Sequence, residues 1–91
     1  MNKFRFSDML PVEDKHFTLQ AVYDYGENYQ LSVVFGGEIE GYEICLFHNG
    51  LETPMVGITD ASGFKSHLDE SAVNLIMLKV EILTGHRPQQ V

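Results

Sequence analysis

Apolar and polar residues alternate along most of the first half of the chain. In residues 16–25 the odd positions Phe17, Leu19, Ala21, Tyr23 and Tyr25 are apolar and the even ones mostly polar, the period-2 pattern of a half-buried strand. Gly26, Glu27 and Asn28 make a compact turn, and the chain returns through residues 29–35 with Tyr29, Leu31, Val33 and Phe35 on one face. Two alternating runs this close together predict a β-hairpin. Gly36 and Gly37 open a loop that runs to Gly41. The next run, residues 42–48, places Tyr42, Ile44 and Leu46 on one face and Glu43, Cys45 and Phe47 on the other. It ends at Asn49-Gly50, a dipeptide suited to the positive φ angles of a tight hairpin. Two weaker segments complete the β portion. Residues 3–6 alternate as an edge strand would, and residues 55–58 read as a return strand with Pro54 at its start or on an edge.

From residue 66 the period changes. Ser66 with Asp69 three residues on resembles a capping box, and the body at residues 71–83 carries Val73, Leu75, Ile76, Met77, Leu78, Val80, Ile82 and Leu83. Gly85 fits the left-handed position after a helix, His86 and Arg87 suit the negative end of the helix dipole, and Pro88 forbids continuation. Consecutive antiparallel strands expose one apolar face, and a helix about 22 Å long can cover it. The fold class is therefore α+β: an antiparallel β-sheet of about four or five strands in hairpins or a meander, with one C-terminal α-helix packed on one face. The 91 residues contain no repeat and no linker, which predicts a single domain over residues 1–91.

More apolar surface is present than this architecture needs. The helix is apolar nearly all round, and Val22, Val34, Cys45 and Phe47 fall on the sheet face away from it. Exposed apolar patches of several hundred Å² usually mark contact with another chain. Self-association into a homodimer is expected from this, with Phe47 on the sheet and Met77 on the helix as its candidate residues.

Composition narrows the partner. The formal net charge is −7. Residues 8–60 hold ten acidic side chains and one basic one, Lys15, whereas Lys3, Arg5, Lys65, Lys79 and Arg87 lie towards the two ends. Such a field repels nucleic acid and anionic membrane, and affinity for phosphates rests on Lys and Arg. Direct nucleic-acid or membrane binding is not expected; a protein with a basic surface is. The acidic candidates are Glu27, Glu38, Glu40, Glu43 and Glu52, with Tyr25 and Tyr29, on either side of a turn, as aromatic contacts. If residues 38–43 were extended, their carboxylates would repeat about every 6.6 Å and imitate a run of phosphates. Acidity also simply keeps small domains soluble.

Chemistry-bearing motifs are sparse. His16, His48, His67 and His86 lie 32, 19 and 19 residues apart, with no ligand pair at helical spacing and no C-x-x-C, so no metal is expected. Cys45 sits mid-strand between Ile44 and Leu46 with no glycine-rich turn to expose it, the ordinary setting of a small buried hydrophobe. No P-loop, G-x-G-x-x-G or G-x-S-x-G occurs, so neither catalytic residues nor a cofactor are expected. A single cysteine and the lack of an apolar leader or an eighteen-residue apolar run point to the cytoplasm. Three roles fit these features: a non-enzymatic protein-binding module acting through an acidic surface, an assembly subunit that oligomerises through the helix and the second sheet face, or an enzyme or ligand carrier whose site has no sequence signature. In size and charge the chain is similar to small inhibitors made by phages and mobile elements that block nucleic-acid-handling complexes. No motif carries that likeness.

Overall fold

In the computed structural model, residues 3–91 are described; Met1 and Asn2 lie outside them. A 3-10 turn at Phe6–Asp8 and the short strand β1 (Leu10–Pro11) lead into three long strands, β2 (Leu19–Gly26), β3 (Tyr29–Gly36) and β4 (Ile39–His48). After these come β5 (Leu51–Glu52), β6 (Phe64–Leu68), the helix α1 (Glu70–Thr84) and β7 (Gln89–Gln90). All pairings are antiparallel, in the order β1-β2-β3-β4-β5. β7 also pairs with β2 and β6 with β4. Each edge position is thus shared by two short segments, which leaves little continuous edge for another chain to extend.

The α+β class with an antiparallel sheet and one C-terminal helix is as the alternation predicts. The inward rows Ala21, Tyr23 and Tyr25, Leu31 and Val33, and Tyr42, Ile44 and Leu46 meet Val73, Ile76, Met77 and Val80 of α1 in one buried core. The helix starts at Asp69, whose carboxylate accepts from the Ala72 amide at 2.8 Å. It stops at Gly85, at φ 74°, whose amide donates to the Glu81 carbonyl at 2.8 Å. Ser66 is not the cap. It belongs to β6, where its hydroxyl donates to Glu43 at 2.6 Å.

Two strand expectations fail for local reasons. Residues 3–6 are not a strand: Phe4 alone turns inward and is fully buried, edge-on to Tyr42 at 5.0 Å, while Phe6 lies out on Phe35. Residues 55–58 form a turn, because Ile58 and Thr59 both donate back to the Met55 carbonyl and Gly57 takes φ 85°. The Met55 amide is meanwhile taken by the Thr59 hydroxyl. β6 pairs with β4 in their place. It meets a bulge: Glu40 and Gly41 are two extra residues between the pairs Phe35–Tyr42 and Gly36–Ile39. Gly41, at φ 67°, lets the Leu68 carbonyl approach so closely that a Cβ would sit 2.8 Å from its oxygen.

α1 carries two apolar stripes. Val73, Ile76, Met77, Val80 and Thr84 face the sheet. On the opposite side Leu75, Leu78 and Ile82 are 54%, 44% and 74% exposed. At 100° per residue these three span an arc of only about 60°. Met77, expected at a self-association surface, is 3% exposed and lies in the core; the exposed stripe is formed by its neighbours instead.

Candidate functional site

Strand pairing orders the face of the sheet opposite α1 into three rows. One runs Leu10, Gln20, Val34, Glu43; the next Val22, Ser32, Cys45, Phe64; the third Gln89, Asp24, Gln30, Phe47, Glu52. Rows two residues apart along a strand are about 6.6 Å apart, and neighbours within a row about 5 Å. Towards the centre Val34 and Cys45 are buried beside the buried Ser32, and Val22, Phe47 and Phe64 are half-buried. Around it stand Asp24, Glu43 and Glu52. Polar partners within the face fix side-chain positions: Gln20 donates to the Ser32 hydroxyl at 2.9 Å, and Ser66 holds one oxygen of Glu43. No secondary-structure element covers this face among the described residues.

Of the residues nominated from sequence, Glu43, Glu52 and Phe47 come together here. The others are elsewhere. Glu38 and Glu40 lie at the β3–β4 end, and Glu27 lies at the β2–β3 turn, separated from them by the length of β3, roughly 25 Å. The Glu40–Gly41 bulge breaks the extended path from residue 38 to 43, so the expected even row of carboxylates does not form. Tyr29 is half-buried on the helix side, stacked on His48 at 3.9 Å. Tyr25, expected to be exposed beside its turn, is fully buried; its hydroxyl donates to the Met77 carbonyl at 3.4 Å, and burial holds its pKa above the ordinary value. Its odd-position alternation, not its closeness to the turn, was the signal to follow. Phe64 was missed because residues 64–68 carry a helix-start pattern.

Three of the turn carboxylates have histidine neighbours. His16 Nδ1 lies 2.7 Å from Glu38, His67 Nδ1 3.8 Å from Glu40, and His86 Nε2 3.8 Å from Glu27. The hydrogen bond to Glu38, then its charge, raises the His16 pKa above 6.5. These pairs are scattered, and no group of three or more His, Cys, Asp or Glu side chains is placed to hold a metal among the described residues. Cys45 is no more reactive than its strand position implies. Burial, reinforced by the Glu52 and Glu43 carboxylates, pushes its thiol up to about 12, so at neutral pH it stays protonated and a poor nucleophile. No helix among the described residues is long and apolar enough to cross a membrane.

The face away from α1 thus groups Val22, Val34, Cys45, Phe47 and Phe64 with the carboxylates of Asp24, Glu43 and Glu52. Comparison with protein-family models, curated proteins and solved structures finds no match for this chain, so the chemistry of that face is what points to a role.

Proposed function

We propose that this chain is a non-enzymatic protein-binding module that receives a basic protein surface on the open face of its sheet. The observation that carries this reading is the grouping of Phe47 and Phe64 with Asp24, Glu43 and Glu52 on the sheet face away from α1. Half-buried aromatics supply contact area at low entropy cost, and surrounding carboxylates select a cationic partner and speed its approach. The face is held by strand hydrogen bonds, so little ordering is needed on binding. The overall charge of −7 favours the same class of partner and disfavours nucleic acid itself. A basic groove on a nucleic-acid-handling protein has this chemistry, and inhibition of such a protein in the cytoplasm is the specific version proposed. It rests on net charge and on the open face, not on a phosphate-like row along residues 38–43.

The test is affinity capture from nuclease-treated native lysate with the wild-type chain and with Glu43→Gln/Glu52→Gln, washed at low and high salt. The expected result is a basic protein held by wild type at low salt, released at high salt and depleted about tenfold or more by the double variant. Equal capture by both chains overturns the reading.

A further inference from the structure

The outer stripe of α1 lies on the side of the molecule away from the proposed partner face and is unexplained by it. It is also not uniform along its length. Towards its N-terminal end Leu75 projects as a knob. Towards its C-terminal end Ile82 and Leu83 border a shallow hollow completed by Met55, Val56 and Ile58, with Val56 fully exposed. Lys79 lies beside the stripe, but its ammonium is drawn sideways onto the Gly57 carbonyl at 2.8 Å, which leaves the ridge itself apolar. Asp69 and Glu70 stand at the start of the helix, whereas past its end Arg87 lies 3.9 Å from Glu81 and His86 3.8 Å from Glu27.

We infer that α1 is a homodimer interface in which two copies pair antiparallel about a two-fold axis near Leu78. An isologous interface needs a patch that is complementary to itself when reversed, and this one is. A two-fold lying between two antiparallel helices keeps each flank on its own side. Leu75 leans towards the Lys79 flank, the flank that holds the hollow, so the knob of each copy meets the hollow of the other. The register that sets Leu75 opposite Ile82 centres the pair between Leu78 and Lys79. The helix dipoles oppose in this arrangement, which favours antiparallel over parallel pairing. The exposed side chains of Leu75, Leu78, Ile82, Leu83 and Val56 amount to roughly 500 Å² per copy, or about 1,000 Å² for the pair. That is the lower limit of a specific interface, so a weak, reversible dimer is expected.

The experiment is sedimentation equilibrium from micromolar to millimolar concentration. Wild type should show a concentration-dependent dimer that persists at high salt, and Ile82→Glu should weaken it about tenfold or more by placing charge in an apolar contact. Because Ile82 is exposed, the variant should fold, with unchanged circular dichroism. Orientation is read by disulfide trapping in a Cys45→Ala background. Leu78→Cys, near the axis, should cross-link under mild oxidation, and Ser71→Cys, about 20 Å from its mate, should not. A chain monomeric throughout, a dimer indifferent to Ile82→Glu, or cross-linking at Ser71 overturns the inference. Each of these outcomes leaves the capture result at the open sheet face untouched, so the two proposals fail separately.

Discussion

Asn74 holds the backbone of Phe4 with both halves of its amide: its Oδ1 accepts from the Phe4 N–H at 2.7 Å, and its Nδ2 donates to the Phe4 carbonyl at 3.1 Å. A helix side chain thus does for the N-terminal segment what a neighbouring strand would do, across seventy residues of sequence. The same Nδ2 also donates to the Glu70 carbonyl at 3.0 Å. Phe4 is thereby fixed in the core against Tyr42 without belonging to the sheet.

Asn74→Ala removes both partners of the Phe4 backbone and should cost about 2 kcal/mol, the range for stranding partly buried polar groups. The urea midpoint measures it. Asn74→Asp keeps the acceptor and loses both donated bonds, so it should fall between alanine and wild type.

Gly41 and Gly50 both have positive φ, yet they should respond differently to alanine. At Gly41 an added Cβ meets the Leu68 carbonyl oxygen at 2.8 Å, whereas at Gly50 nothing lies within 4 Å. Gly50→Ala should cost about 1 kcal/mol from left-handed strain alone, and Gly41→Ala at least about 2 kcal/mol because the β4–β6 contact must also shift. Equal losses in thermal unfolding would show that the bulge is soft.

The His16–Glu38 contact carries a pH dependence of defined sign. Glu38 raises the His16 pKa above its ordinary 6.5 in the folded chain. The contact therefore favours the fold fully below about pH 6.5, and that contribution is lost as pH rises through the raised value. Both side chains are well exposed, so the effect on stability is small, and the clean observable is the His16 imidazole resonance titrated by NMR. Glu38→Gln should lower its midpoint towards 6.5; an unchanged midpoint would show that the pair does not form in solution.

Cys45 should react slowly with a water-soluble disulfide reagent at pH 8 in the native protein and rapidly in denaturant, since its thiol is buried and pushed up to about 12. Native reactivity near that of a free thiol would mean that the centre of the open face is not packed as described.

Strand alternation made the sheet, its inward rows and the helix legible, because burial on one face imposes a period that propensity alone does not. What stayed hidden depends on distant partners. Phe4 and Phe6 alternate like a strand, but only Asn74, seventy residues on, decides that Phe4 enters the core. Ser66 reads as a cap with Asp69 as its capping-box partner, and it is the pairing of Phe64 with Cys45 and of Leu68 with Tyr42 that assigns Ser66 to a strand and leaves the cap to Asp69. Of the open face, Glu43, Phe47 and Glu52 were visible from sequence, but Phe64 was not. The carboxylates at 38 and 40 read as continuous with Glu43 in the sequence because the sequence does not display the bulge at Gly41.

Photo-cross-linking from position 47 asks whether the open face meets a basic protein. A photoreactive phenylalanine analogue replaces Phe47 in one sample and Ile82 in another, and both are irradiated in native lysate. Binding at the open face gives a heterologous adduct to a basic protein from position 47, lost at high salt, while position 82 gives an adduct of twice the chain mass. No heterologous adduct from position 47, or the same adduct from both positions, would contradict it.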